Sequence, residues 1–463
     1  VGRLIQSSHV CHSPFDRVAP GRNRNQEALS KTMPEIRPFR GVRYDLARVG
    51  DLSQAVAPPY DVIGPDLQQS LYNASPYNVI RLELGRDEPG DNDATNRYTR
   101  AAKLLKDWRR DGILVDESHP SLYVYHQTFQ VEGKSYTRKG FLARVRLEPF
   151  GEGRIYPHEE TMSGPKADRL KLYEATGFNL SPIFGLYPDP DNAAFSALEH
   201  GIRDRTPLTV TDHLGVENQL WPVSDVETLA AVQGLMADRS VFIADGHHRY
   251  ETALRYRADR ETAGELTGPD DPANFCLMML VSMSDPGLQI LPTHRLVQGL
   301  PFLTSGKLAE LLSTEFEIED FGEGPSGCRA AWQEIELHGD QNLLGFGTAM
   351  DNRWCTARLR SDATMDSLVP NHSPDWRSLG VSILQELVLK KTFGDLDPTC
   401  RYVHLIDEVL EAFHSGSCDL ACLVPPAGMD HVEAIASNLE KMPPKSTYFY
   451  PKLLTGLVLN PIR

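Results

Sequence analysis

No stretch of eighteen consecutive apolar residues occurs in the 463-residue chain, so no transmembrane helix and no membrane partner is expected. There is no Walker phosphate loop and no Gly-x-Ser-x-Gly elbow. These absences set aside the common ATPases and α/β-hydrolases, though not nucleotide use by another fold. Positive charge is short: 47 Lys and Arg face 63 Asp and Glu, a net charge of −16. A chain this acidic, without a basic cluster, is a poor binder of phosphate backbones, so no nucleic-acid partner is expected. The seven cysteines are scattered and form no Cys-x-x-Cys pair. That is the usage of reduced, mostly buried thiols and points to a cytoplasmic protein rather than a disulfide framework or a zinc site.

What is present is an ordinary globular composition, 41% hydrophobic and 24% charged, and a length sufficient for two or three domains. Residues 1–32 differ. They carry Arg3, Arg17, Arg22 and Arg24 among polar neighbours and lack an apolar core segment. They read as a disordered leader or a mis-assigned start with Met33 as the true first residue; a mitochondrial-type presequence is a third option. Beyond them a boundary is expected near residue 300, between a ligand-binding region over 34–300 and an α/β region over 301–463.

Periodicity predicts a helix over 94–111 and a hairpin of 121–131 with 134–147, turning at Glu132-Gly133. It predicts strands over 41–45 and 79–84, and a hairpin of 275–283 with 288–297 around Asp285-Pro286-Gly287. Further helices are expected at 167–175, 226–236, 307–313, 330–337, 381–391, 407–414 and 431–441. The mixture argues for a mixed α/β (α+β) fold rather than a purely parallel sheet.

The most informative segment is 241–257. The apolar run Val241–Ala244 reads as a buried strand, Asp245-Gly246 as a sharp turn, and Tyr250, Ala253, Leu254 and Arg257 as a helix face. His247, His248 and Arg249 therefore fall at a helix N-terminus, where backbone N–H groups and the dipole favour anions. The plainer alternative is that Asp245 only caps the helix.

This segment, Asp-Gly-His-His-Arg-Tyr-Glu, resembles the hallmark of the domain-of-unknown-function 1015 family. Other stretches resemble it too: Arg37-Pro38-Phe39 with Ala57–Ile63, Ser75–Val79, Pro157-His158-Glu159 with Thr161, Leu291–Arg295, and the tail run Met442–Gly456. The Asp-Gly-His-His-Arg loop is also similar to that of free-serine kinases built on the ParB/sulfiredoxin fold. That resemblance implies a ParB/sulfiredoxin-like core and phosphorylation of a free hydroxyl.

Phosphoryl transfer needs anion-holding donors, a metal-holding carboxylate and a base near the attacking hydroxyl. Asp245 can hold Mg²⁺ or take a proton; His247 and His248 can act as acid and base or donate to phosphate; Arg249 can grip phosphate as a fork. A transition-metal site using His247 and Glu251, four apart on one face, is a competing reading. A second constellation, His158-Glu159-Glu160 with Lys166 and Arg169, offers a base in Glu159 and cations for phosphate. A third, Lys445-Ser446-Thr447-Tyr448 with Tyr450, Pro451, Lys452 and Thr455, mixes phosphate-friendly donors with aromatic faces. Thr293-His294-Arg295 is a fourth and weaker one. The expected activity is a small-molecule kinase acting with Mg²⁺ on a nucleotide or pyrophosphate donor and a hydroxyl such as that of free serine. A nucleotide-responsive regulator and a metal-dependent phosphohydrolase are the alternatives.

Overall fold

The computed structural model describes residues 35–159 and 163–463; the expected leader over 1–32, Met33, Glu160 and Thr161 lie outside them. The predicted mixed α/β class is what the chain adopts. Phe275–Ser282 is a strand in which every residue is buried. Leu277, Met279 and Val281 point into one core, while Cys276, Met278 and Leu280 point into another. A strand apolar on both faces belongs inside a sheet covered on both sides. It pairs antiparallel with Lys134–Arg146 and parallel with Ile183–Tyr187. The sheet continues through Leu122–Val131, Glu217–Val223 and Leu208–Thr211 on one side, and through Val241–Asp245 and Ile155–Tyr156 on the other; Ile36–Arg37 joins it on Lys134–Arg146. Glu132 and Gly133 turn the expected hairpin with positive φ at both positions, 50° and 77°, the geometry that matches strand twist.

A second, six-stranded antiparallel sheet runs in the order Phe316–Glu323, Arg353–Leu359, Leu343–Thr348, Leu420–Leu423, His294–Gln298, Thr399–Val403. The tail then returns to the first half of the chain. Tyr448–Tyr450 pairs with Gln289–Leu291, Thr455 with Ala57, Leu459 with Val42, and Asn460–Pro461 with Phe178–Asn179.

Three expectations are corrected. Residues 79–84 are not a strand: Asn78 Oδ1 accepts from Ile80 N at 2.9 Å and starts the one-turn helix Ile80–Glu83. A short apolar run buried by packing has no period to separate helix from strand. The 275–297 hairpin does not form, because both flanks of Phe275–Ser282 are already occupied. The Asp285-Pro286-Gly287 turn instead lies so close to Thr137 that a Cβ on Gly287 would sit 2.1 Å from its carbonyl oxygen. The 381–391 helix continues past Gly380–Ile383 as a π-helix, Leu384–Thr392.

Among the described residues no helix is long and apolar enough to cross a membrane. Six cysteines there are unpaired thiols, five of them buried.

Candidate functional site

Asp245 ends its strand beside a register shift between Ile243 and Asp245, the kind of bulge that re-aims a side chain. Gly246 follows with φ +92°, and a Cβ there would lie 2.9 Å from the Arg249 guanidinium. Glycine is therefore required twice over, for conformation and for space. The helix His247–Thr262 begins with Gly246 as N-cap and no side-chain cap bond. Asp245 does not cap it.

The Asp245 carboxylate instead lies between two cations. Lys452 Nζ donates to Oδ1, and Arg249 Nη2 donates to Oδ2 at 2.6 Å. Burial pushes its pKa up, but Lys452 and Arg249 outweigh this and hold the group below the usual carboxylate range. Arg249 is only 2% exposed. Its other fork nitrogen donates to the Pro182 carbonyl, so the guanidinium is committed to protein groups.

His158 is fully buried. Its Nδ1 lies 2.6 Å from the Ile243 carbonyl and its Nε2 2.9 Å from Thr447 Oγ1. A carbonyl only accepts, so Nδ1 carries the proton and Nε2 accepts from the threonine hydroxyl. Burial lowers its pKa to about 4, keeping it neutral. His247 Nε2 accepts from the His158 backbone N–H at 3.3 Å, and burial holds this ring well below its ordinary pKa. Burial also lowers His248, opposed by Asp61. At neutral pH the two loop histidines are therefore dipoles, not charges.

Glu159 lies alongside the returning tail. Met442 N donates to the His158 carbonyl at 2.7 Å, and Lys445 N donates to the Glu159 carboxylate. Burial raises the Glu159 pKa against the pull of Lys445 and Lys452. Lys445 holds φ +59°, and its carbonyl accepts from Arg295 Nη2 at 3.1 Å. Lys452 Nζ also sits 4.5 Å from the Tyr448 ring centre, and His404 stacks on that ring at 3.5 Å.

The structure thus gathers Asp245, His247, His248, Arg249, His158, Glu159, Lys445 and Thr447 from three stretches of chain. Lys166 joins them through Glu251, 2.7 Å away. Arg169 is withdrawn into a buried network with Glu83 and Asp168, its guanidinium 4.1 Å from the Tyr60 ring centre. His294 belongs to the second sheet, where Nδ1 accepts from Val424 N at 3.2 Å and the ring meets Trp332 edge-on. Lys452 is the residue whose role sequence reasoning missed; its only signal was membership of the tail motif. A divalent ion does not fit Asp245 in this arrangement, since both carboxylate oxygens already hold cationic donors. Among the described residues no group of three or more His, Cys, Asp or Glu side chains is arranged to hold a metal.

The family described as "Protein of unknown function (DUF1015)" matches residues 36–382; the matched span stops short of the tail. No curated protein matches. Among solved structures, a free serine kinase in complex with ADP aligns at 11% identity and TM-score 0.33, covering 64% of this chain and 84% of that one. A conserved hypothetical protein from Pyrococcus furiosus aligns at 12% identity and TM-score 0.32, covering 65% and 89%. SbnI from Staphylococcus aureus, with a C-terminal truncation, aligns at 11% identity and TM-score 0.33, covering 69% and 87%.

Proposed function

The chain belongs to the DUF1015 family, and we propose that it is a small-molecule kinase, transferring phosphate from a nucleotide or pyrophosphate to a hydroxyl such as that of free serine. The observation that carries this reading is the opposed pKa shifts of two neighbouring carboxyls. Asp245 is held ionised between Lys452 and Arg249, whereas burial pushes Glu159 up. Carboxyls driven apart in this way take different roles. Glu159, made more basic by burial, takes the proton of the acceptor hydroxyl. The hydroxyl oxygen bonds to the terminal phosphorus while the bond to the leaving phosphate breaks, and the leaving oxygen keeps the electron pair. The uncapped N-terminus of His247–Thr262, the neutral imidazole of His248 and the ammonium of Lys445 supply donors for phosphate oxygens. Asp245 orients Lys452, and Arg249 acts as a fixed positive charge behind it. No step runs through a protein-held ion.

The test is incubation with ATP, ADP or pyrophosphate, Mg²⁺ and free serine. The kinase forms phosphoserine in excess of enzyme. Donor hydrolysis unaffected by serine would identify a phosphohydrolase, and nucleotide binding without turnover a regulator; either result overturns the proposal.

A further inference from the structure

Arg138 is fully buried, and no carboxylate bonds to it among the described residues. A buried guanidinium without an acidic partner is costly, and burial pulls its pKa down to about 10, which still leaves it charged. Its bonds explain its presence. Nη1 donates to the Tyr450 carbonyl at 3.3 Å, and Nη2 donates to the Pro451 carbonyl and to Gln127 Oε1. Gln127, also fully buried, donates through Nε2 to the Lys452 carbonyl at 3.1 Å and to Asn218 Oδ1 at 3.0 Å. Two side chains of one hairpin therefore hold three consecutive tail carbonyls, the last belonging to the residue whose ammonium sits on Asp245. The Arg138 guanidinium also lies 4.6 Å from the ring centre of Phe184, the residue opposite Asp245 in the sheet. Apolar residues at 127 and 138 would take these donors away from the three carbonyls.

We propose that Arg138, together with Gln127, is a positioning residue that acts through Lys452, fixing the backbone from which its ammonium reaches Asp245. The inference deepens the kinase reading and rests on it for its catalytic meaning, but the placement of Lys452 can be measured without any activity.

Arg144 provides the internal comparison. It lies on the same strand and holds the same tail, through Asn460 Oδ1 at 2.6 Å and the Pro461 carbonyl at 2.7 Å, beyond Lys452 and not at the backbone of Lys452 itself. In the full chain, competitive labelling of amines with acetic anhydride is read peptide by peptide by mass spectrometry. Arg138→Met should raise Lys452 labelling about tenfold, the factor set by losing one charged hydrogen bond, and Asp245→Asn should do the same. Arg144→Met should lower the melting temperature without changing Lys452. Equal Lys452 labelling in the Arg138 and Arg144 variants would overturn the proposal. If Arg138→Met fails to fold, Arg138→Lys, which keeps the charge but not the fork, and Gln127→Met are read in the same way and must show the rise. In the phosphotransfer assay, kcat should fall in Arg138→Met as in Lys452→Met, with KM little changed, and the double variant should fall no further. A wild-type protein without phosphotransfer would remove the kinase reading while leaving the labelling result to decide the positioning.

Discussion

Glu159→Gln keeps an acceptor for the Lys445 N–H and removes the proposed base. The expected result is a fall in turnover of about 10²- to 10⁴-fold, the usual contribution of a general base, with little change in melting temperature. Turnover within a few-fold of wild type would exclude Glu159 as the base. Arg249→Lys has a different expected outcome. Were the fork reaching only for phosphate, lysine would leave stability alone. It is instead spent on Asp245 and the Pro182 carbonyl, so the variant should lose roughly 1.5–3 kcal/mol, the scale of charged hydrogen bonds, in a denaturant melt. An unchanged melt would show that those contacts carry no stability. The loop Asp245–Arg249 was legible because five polar or glycine residues between a strand and a helix have no use in a core. The partners were not legible, because hydrogen-bond pairing at long separation leaves no local pattern: Arg138 is only an arginine at an inward-facing position of an alternating strand.

At the scale of the element, the strand–turn–helix unit hinges on one backbone conformation. Gly246→Ala places a Cβ at φ +92° and against the Arg249 guanidinium. The expected cost is about 1–2 kcal/mol from the left-handed conformation, before any displacement of Arg249. Thermal unfolding that matches wild type would contradict the required geometry. Hairpins with a two-residue turn and helices with a clear apolar face, such as Arg97–Arg110, could be read directly, since their information is local. Phe316–Glu323 and Thr399–Val403 carry no comparable pattern: both are largely polar edge strands of the second sheet, where only one neighbour demands a side-chain alternation. The order of strands around Phe275–Ser282 was equally hidden, because pairing choice between buried apolar strands is decided by tertiary packing.

For the whole molecule, the buried histidines set the response to acid. Burial lowers His126, His158 and His404 to about 4 and His294 to about 3. In the unfolded chain each returns to about 6.5. Between these values the unfolded state binds more protons, so stability rises with pH, is complete above about 6.5 and is lost as pH falls toward 4. Each contributes up to about 1.4 kcal/mol per pH unit where fully titrating. Asp285, raised by burial to about 6, runs the opposite way below that pH and offsets part of the loss. The melting temperature should therefore drop between pH 7 and 6, where the four rings outweigh the single carboxyl of Asp285. A flat profile over that unit would mean that these histidines are not buried as neutral rings.

The returning tail has a consequence in time. Lys452 follows Asp245 by 207 residues. At a translation rate of about 5–20 residues per second, a ribosome needs roughly 10–40 s to make that interval. Throughout it, the nascent loop carries an ionisable aspartate with only one of its two cations and a Glu159 without its backbone donor. The contacts that surround Asp245 and Glu159 are thus completed only after the tail has emerged and threaded back, and an unfinished chain released early lacks them.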